Sequence, residues 1–475
     1  MKKQLWRLAA LTLLLVSLLL LGSCRQETDD LGDLASSALG SYTYTTTAPV
    51  TTAPATTAPV TGPEAPLTTA ELEAFLALVD FSKVERAEAC YDAYYIGEYR
   101  PVNDCFGEIF DTLSALPAVR TVTDPERATG VFIEIYARML GDYYGYYYPP
   151  TDYSDYTDDI AGKYTGIGVS VLLDEEGYAE IINVFPGSPA EEVGLLPGDV
   201  LVAVGGEDFA AIGYQNAIDR IRGEAGTSVS LTVRRDGERL TFSVPRREVT
   251  EVTVESRMMD GQIGYIRIIS FNERTYQQFV EAHRALDAAG AVSYVFDLRN
   301  NPGGTLNAVV AIAEYILPDG PIVHLNYKND RDDFTIDSIF DIVNAGYMDG
   351  TERVYYEGHA IEKPMVVLAN GSTASAGELF TSSLKDYGVA TVIGDGTYGK
   401  GVGQTSFYVA TDGSAITMTI FSYDPPTSPN YDGVGITPDI PVSLSEAAAK
   451  KNLYKLTYAE DTQLQAAVAA LTPAQ

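Results

Sequence analysis

The sequence predicts a multidomain protein of the α/β class, and three observations support that prediction. The chain has 475 residues, which is enough for two to four domains. Residues 67–162 show the apolar spacing of helices, whereas residues 163–247 show short alternating strands. Residues 248–447 combine short apolar runs, typical of buried strands, with helical segments. We therefore expect a helical N-terminal domain, a β-rich domain and an α/β core, followed by a helical tail over residues 448–475.

The first 23 residues have the pattern of a secretory signal. Basic residues precede an apolar run from Leu8 to Leu21. The segment ends in a box that resembles the bacterial lipoprotein box, so we expect Cys24 to carry a lipid. The alternative is an uncleaved single-span anchor, for which the apolar run is short. In both cases we expect the rest of the chain on the extracytoplasmic face of a bacterial cell membrane.

Residues 24–66 read as a linker rich in Thr, Pro and Ala. The sequence Thr-Thr-Ala-Pro recurs there with almost no charge and no apolar periodicity. Such a composition cannot bury enough apolar surface to fold, and it gives a semi-extended spacer. We expect it to hold the folded domains away from the membrane to which the lipid is anchored.

Charge and ligand spacing exclude two classes of function. The formal net charge is −33, which disfavours nucleic acid and anionic lipid surfaces as partners. No group of cysteines and histidines has the spacing of metal ligands, so we expect no metal and no other cofactor. The acidity is best explained by solubility.

Two cysteines remain besides the lipidated one. Cys90 and Cys105 lie in the helical region, in a compartment where thiols oxidise. A disulfide between them would contribute about 3 kcal/mol by closing a loop of that size. Two unpaired thiols are the alternative, and the sequence leaves both open.

A serine lies where a buried strand turns into a helix. The apolar run from Pro364 to Ala369 predicts the strand, and the spacing from Ala376 to Tyr387 predicts a helix that Gly388 ends. Ser375 therefore precedes a helix N-terminus, where free backbone N–H groups can stabilise an oxyanion. Asp386 lies about 16 Å away along that helix, so we expect it to pair with a neighbouring loop instead of joining the site.

A second glycine-containing turn offers another amide donor. It follows the buried strand predicted from Val292 to Phe296 and contains Gly303 and Gly304. Small residues permit close backbone approach, so this turn could bring its N–H groups beside Ser375.

A serine hydroxyl needs a neighbouring base, and lysine is the plausible one in this chain. The three histidines, His283, His324 and His359, lie in no recognisable motif. Lys400 lies among glycines, and Gln404 follows it in a segment that becomes a strand. With a period of two, both side chains could point to one face, which would let Gln404 orient the amine. The alternative is a glycine-rich loop that only packs against a helix.

Five motifs follow one another in the C-terminal half of the chain. They are Gly371-Ser372-Thr373-Ala374-Ser375-Ala376-Gly377-Glu378, Asp386-Tyr387-Gly388, Gly394, Tyr398-Gly399-Lys400-Gly401-Val402-Gly403-Gln404 and Gly433-Val434-Gly435-Ile436-Thr437-Pro438-Asp439. In their order and spacing the chain resembles a family, the C-terminal processing peptidases or tail-specific serine proteases, and the similarity runs from about residue 130 to residue 443. The resemblance implies a core with a crotonase-like α/β spiral fold.

The resemblance also implies roles for the site residues. Ser375 would be the nucleophile, Lys400 the general base and Gln404 its orienting partner. The oxyanion hole would be formed by the amides of Ala376 and of Gly303 or Gly304.

The β-rich unit resembles an inserted PDZ domain. Its five strands, with a helix from Tyr214 to Arg222, follow the expected order, and the segment Gly166-Ile167-Gly168-Val169 matches the carboxylate-binding loop. Exposed amides there can capture the carboxylate of a peptide that adds as a strand to the sheet edge. Arg222 would contact substrate or a neighbouring domain, or form an ordinary surface salt bridge.

These observations predict a lipid-anchored serine endopeptidase that recognises proteins or peptides by their free C-termini. One alternative is a non-enzymatic lipoprotein that only binds protein C-termini, against which Ser375, Lys400 and Gln404 argue. Another is an α/β-hydrolase esterase, which would need a glycine two positions before the serine and a histidine late in the chain.

Overall fold

A computed structural model describes residues 66–472 except residue 175 and residues 330–332, 339–340 and 342–360. The predicted signal segment and nearly all of the linker lie outside the described residues. Within the described part, no helix has both the length and the apolar character that a membrane crossing requires.

Four helices open the described chain, and a short strand and a fifth helix follow. Three of the first four begin at a side chain that accepts a backbone N–H: Thr68, Asp80 and Asp124. Their buried faces belong to the same hydrophobic cluster as the α/β core, so these helices pack directly on that core. The bounds are α1 Thr69–Leu78, α2 Phe81–Tyr94, α3 Val102–Ala115, α4 Pro125–Met139, β1 Tyr146–Tyr148 and α5 Pro150–Ile160.

The β-rich unit has its own hydrophobic cluster. Its elements are β2 Lys163–Gly166, β3 Val169–Leu173, β4 Ala179–Val184, α6 Pro189–Glu192, β5 Val200–Val204, β6 Glu207–Asp208, α7 Phe209–Ile212, α8 Tyr214–Ile221, β7 Ser228–Arg235, β8 Glu238–Pro245 and β9 Arg247–Thr250. The sheet has the order β3-β4-β5-β7-β8, with β6 beside β5. Strands β2 and β9 pair as a separate antiparallel ribbon through which the chain enters and leaves the unit. The five strands and the helix predicted here are confirmed, and the bounds of the helix agree to within one residue.

The rest of the chain forms the α/β core and its tail. Its elements are β10 Val254–Met259, β11 Ile263–Ile268, α9 Thr275–Ala288, β12 Ser293–Asp297, α10 Leu306–Ile316, β13 Val323–Tyr327, β14 Phe334–Ile336, β15 Met365–Ala369, α11 Ala376–Asp386, β16 Ala390–Gly394, β17 Val402–Tyr408, β18 Ala415–Asp424, β19 Ile440–Pro441, α12 Glu446–Ala449 and α13 Thr462–Leu471. A six-stranded sheet has the order β10-β11-β12-β15-β16-β19 and is parallel except at β10.

The two faces of this sheet are covered by different elements, as buried parallel strands require. Phe296 and Val367 point into the large cluster that also contains residues of α9, α10 and α11. Val295 and Val366, on the opposite face, pack instead with Leu464 of α13. The C-terminal helix therefore completes the burial of the sheet.

A second sheet carries the other wall of the site. Strand β18 pairs along one edge with β17 and along the other with β1 and β13. Between Gly403 and Gln404 the register of β17 against β18 shifts, because these two neighbours pair with Phe421 and Thr419. This marks a β-bulge in which Ile420 of β18 is the extra residue.

Candidate active site

Ser375 lies at a strained turn between β15 and α11. Its backbone has φ 53° and ψ −120°, a conformation that non-glycine residues rarely adopt. The preceding amide, of Ala374, donates to the carbonyl of Asn301, which joins this turn to the loop after β12. Strain of this kind persists only where the surroundings fix it, and it presents the serine side chain at the end of the sheet.

The loop after β12 packs directly against this turn. A Cβ atom on Gly303 would lie 2.7 Å from Ser375 Cβ and 2.9 Å from the amide nitrogen of Ala376, so only glycine fits there. The Gly303 amide donates to Asn301 Oδ1 at 2.8 Å and is therefore already engaged. Within the described part of the chain, the amides of Gly304 and Ala376 have no acceptor, so they remain available to an oxyanion.

Glu378 is a functional candidate that sequence reasoning missed. Its buried carboxylate accepts from the amides of Ser375 (3.0 Å), Gly399 (2.7 Å) and Lys400 (2.8 Å) and from the hydroxyl of Thr397 (2.6 Å). Burial raises the pKa of this carboxyl. The signal was present in the sequence, because serine followed three positions later by glutamate is the pattern of a capping box.

Lys400 lies on the wall opposite the turn and is half-buried. Its Nζ is 4.4 Å from the centroid of the Tyr144 ring. Desolvation lowers the pKa of the amine to about 8, and the negative charges of Asp142, Glu378 and Asp432 oppose that effect. A lysine in this environment is neutral in a useful fraction of molecules near neutral pH.

The serine and the lysine face one cavity without a direct hydrogen bond between them in the described structure. The hydroxyl of Tyr423 donates to the carbonyl of Lys400 at 2.6 Å and lies 3.5 Å from Ser375 Oγ. Contacts between catalytic groups are often long before substrate binds, so this separation is compatible with catalysis. Neither described histidine contacts the serine: His283 pairs with Tyr315, and His324 with Thr335 and the carbonyl of Pro426.

Gln404 is placed differently from the expectation. Lys400 precedes β17, so the strand alternation on which the expectation rested does not extend to it. The Gln404 side chain donates to Thr419 Oγ1 at 3.1 Å, and Thr419 donates in turn to the carboxylate of Asp142. No hydrogen bond joins Gln404 to the lysine amine among the described residues.

The predicted carboxylate loop, Gly166 to Val169, lies between β2 and β3. A Cβ on Gly166 would lie 2.7 Å from the Tyr164 ring, so this ring packs on the start of the loop. The Arg222 guanidinium lies 5.6 Å from the centroid of the same ring. A peptide carboxylate bound at this loop would therefore lie close to Tyr164 and Arg222.

One cavity of about 1510 Å³ connects this loop to Ser375 and Lys400. Tyrosines of β1 and α5 form much of the wall between them, including Tyr148, which packs on Tyr153 and Tyr156. The tyrosine cluster at residues 143–148 thus both lines the cavity and packs on the helix that leads to the β-rich unit.

Three further residues singled out from the sequence, Cys90, Cys105 and Asp386, lie in the described part of the chain. Cys90 on α2 and Cys105 on α3 are free thiols in the structure, which corresponds to the second of the two alternatives. Cys24 lies outside the described residues. Asp386 accepts from the amides of Thr427 and Ser428, so its expected pairing with a neighbouring loop is confirmed.

Comparison with known proteins gives the family. A model of peptidase family S41 matches residues 262–442, and a PDZ domain model matches residues 180–235. The carboxyl-terminal-processing protease of Synechocystis sp. is 32% identical over 331 residues, which is 68% of this chain and 72% of that protein. The chain belongs to peptidase family S41. The carboxy-terminal-processing protease of Bartonella bacilliformis is 30% identical over 345 residues, covering 71% and 74% of the two chains.

Membership of this family makes the protein a serine-type peptidase, as the sequence predicts, and the β-rich unit contains a PDZ domain. The S41 peptidase match begins at Gln262, next to β11, and extends through Val442, just after β19. It therefore includes the turn with Ser375, the loop with Gly303 and Gly304, and the segment with Lys400.

Proposed function

We propose that this peptidase is an extracytoplasmic, lipid-anchored serine endopeptidase that uses Ser375 as nucleophile and Lys400 as base. The observation that carries the proposal is the geometry at the cavity wall. A strained serine lies between two available amides and shares its cavity with a lysine whose pKa is lowered to about 8.

Acylation then follows from the chemistry of the groups. The neutral amine of Lys400 takes the proton of Ser375 Oγ as the oxygen adds to the scissile carbonyl carbon. The amides of Ala376 and Gly304 donate to the oxyanion that forms. The lysine ammonium passes its proton to the leaving amine, the peptide bond breaks, and an acyl-serine remains.

Deacylation uses the same groups a second time. The neutral lysine takes a proton from water as the water oxygen adds to the acyl carbon. Collapse of the second tetrahedral intermediate returns the proton to Ser375 Oγ and releases the new C-terminus. Gln404 supports the geometry of this wall through Thr419 rather than by a bond to the amine.

We propose that the PDZ domain selects substrates by their C-terminal residues. The amides of the loop from Gly166 to Val169 would bind the terminal carboxylate, and the peptide would add as a strand beside β3. Support comes from the cavity, which is continuous from this loop to Ser375. Arg222, on the ring of Tyr164, lies where it can respond to a bound carboxylate.

The domain plan and location belong to the same proposal. The core over residues 248–447 would have the crotonase-like α/β spiral, with the PDZ-like domain of residues 163–247 inserted after the helical residues 67–162. The signal segment would direct the enzyme to the extracytoplasmic face of the cell membrane. A lipid on Cys24 would anchor it there, and the linker would separate the folded domains from the bilayer. Incorporation of labelled palmitate that is lost in Cys24→Ser would support this, and equal labelling of the variant would contradict it.

One experiment tests the activity itself. Purified residues 67–475 are incubated with an unstructured protein, and its fragments are followed by electrophoresis and mass spectrometry. We expect cleavage by the wild-type chain and none by Ser375→Ala. Ser372→Ala is the matched control, because that serine lies in the same turn and its side chain makes no hydrogen bond in the described structure. Cleavage by Ser375→Ala would refute the assigned nucleophile, and absence of cleavage by every variant would favour a binding protein.

A further inference from the structure

Asp142 is a buried carboxylate far from the catalytic motifs in sequence. It lies in the turn between α4 and β1 and is only 2% exposed. Within the described structure no lysine or arginine forms a salt bridge with it, which is unusual for a buried aspartate. Its position therefore calls for an explanation other than ion pairing.

The hydrogen bonds of Asp142 lead to the wall of the active site. Oδ1 accepts from the Thr419 hydroxyl at 2.8 Å and from the Tyr144 amide at 3.3 Å. Oδ2 accepts from the Thr419 amide at 3.1 Å and from the Tyr91 hydroxyl at 3.2 Å. Thr419 is the β18 residue directly opposite Gln404 on β17, and its hydroxyl accepts a hydrogen bond from the side-chain amide of Gln404.

Two of these contacts end on groups that surround the lysine amine. The Tyr144 ring lies 4.4 Å from Lys400 Nζ, so the bond from its amide to Asp142 fixes the backbone that presents this ring. Gln404 lines the cavity beside the lysine and is held through Thr419. The Asp142 carboxylate, in the turn after α4, therefore holds both Tyr144, whose ring lies against the amine, and Gln404, which lines the same cavity.

We propose that Asp142 is a positioning residue for Lys400, which it serves by holding Tyr144 and, through Thr419, Gln404 around the amine. This inference rests on the proposed role of Lys400 as the base. It assigns to the helical N-terminal region a direct part in the chemistry of the core.

The charge of Asp142 adds a second effect to the positioning. The Tyr144 ring lies against the amine, and the carboxylates whose charges act on it are those of Asp142, Glu378 and Asp432. Asp142 is the largest of the three charges that raise the pKa of Lys400 against desolvation. Without it, the amine would lose its proton at a lower pH.

The test compares Asp142→Asn with Tyr91→Phe in the purified enzyme. The Asn variant removes the charge and places an amide donor opposite the Thr419 N–H. The Phe variant removes one hydrogen bond to the same carboxylate and leaves its charge and both Thr419 bonds intact. Both are measured by kcat and KM across the pH range, together with thermal unfolding.

For Asp142→Asn we expect the acidic limb of kcat/KM to move to lower pH by about one unit. We also expect its plateau kcat to fall about tenfold or more, since small misplacement of a catalytic group is costly. Tyr91→Phe should lower the unfolding temperature and leave the midpoint of the limb unchanged. A wild-type midpoint and plateau in Asp142→Asn would overturn the proposal, as would parallel losses in both variants without a shift.

Two further variants keep the result interpretable. If Asp142→Asn does not fold, Thr419→Val removes the link to Gln404 and keeps the carboxylate. It should then lower kcat with an unchanged midpoint, and a wild-type kcat would count against the proposal. Lys400→Ala separates the two hypotheses: if it is inactive while Asp142→Asn behaves as wild type, only this inference fails. Activity of Lys400→Ala would remove the proposed base itself.

Discussion

One oxygen of Glu378, Oε2, accepts hydrogen bonds from the backbone amides of both Ser375 and Lys400, at 3.0 and 2.8 Å. The proposed nucleophile and base lie on different segments, and this buried carboxylate fixes their main chains relative to each other. Its other oxygen accepts from Thr397 and Gly399, so all four donors come from the two catalytic segments. Glu378 is thus a positioning group for the pair.

This arrangement predicts that Glu378→Gln is harmful although the side chain keeps its shape. The new amide would point its N–H groups at backbone N–H donors, leaving buried donors unsatisfied at about 1–3 kcal/mol each. We expect a lower free energy of unfolding in urea and a turnover at least tenfold lower. Glu273→Gln, at an exposed position, is the matched control and should change neither quantity. A stable and fully active Glu378→Gln enzyme would contradict the positioning role.

A second prediction concerns pH, because Lys400 is a base only when neutral. The pKa of the amine is lowered to about 8, so the active fraction rises with pH up to that value and then levels off. We expect kcat/KM to fall about tenfold for each pH unit below about 8. The check is a series of kcat/KM measurements between pH 6 and 9.5 with a peptide that has no titrating group in that range.

Replacement of the same residue completes that test. Lys400→Arg should abolish cleavage and leave the fold intact, because a guanidinium stays charged at every accessible pH. Lys385→Arg, on the partly exposed pair with Asp439, is the matched control and should remain active. Turnover of Lys400→Arg at the wild-type rate would rule out a lysine base.

The C-terminal helix gives a third prediction, about stability. Asp461, just before α13, pairs through both oxygens with the buried guanidinium of Arg299, which also contacts Asp297. Asp461→Ala leaves Arg299 paired with Asp297 but removes two buried charge-assisted hydrogen bonds, so it should lower the free energy of unfolding by about 3 kcal/mol. Glu446→Ala breaks an exposed helical pair with Lys450 and should have no measurable effect. Equal urea midpoints for the two variants would show that the tail does not stabilise the core.

Local patterns in the sequence predicted the elements around Ser375 well. The apolar run before it and the glycine after Tyr387 placed β15 and α11 to within one residue at each end. These signals are local, because a continuous apolar run and a helix-ending glycine depend only on neighbouring residues. The side chain of Gln404 marks the limit of such patterns, since its hydrogen bond to Thr419 joins two strands whose pairing apolar spacing does not reveal.

Contacts between distant segments left no such pattern. Asp142 and Thr419 are 277 positions apart, and nothing in either neighbourhood indicates that they meet. The packing of α1 to α4 into the cluster of the core is of the same kind, since amphipathic helices show which face is buried but not against what. Contacts of this kind therefore become visible only in the folded chain.

The last prediction concerns the free carboxylate of the substrate. Main-chain amides of the loop from Gly166 to Val169 can bind that charge, and amidation of the substrate C-terminus removes it. Charge-assisted hydrogen bonds are worth about 1.5–3 kcal/mol, and 1.4 kcal/mol corresponds to one decade. At limiting substrate concentration, cleavage of the amidated peptide should therefore be slower by about tenfold or more than cleavage of the free acid.

An N-terminally acetylated peptide is the matched control, because it loses the charge at the other end and should be cleaved as fast as the peptide with both ends free. Equal rates for the acid and the amide in the wild-type enzyme would exclude recognition of C-termini and would leave the chemistry of Ser375 and Lys400 unaffected.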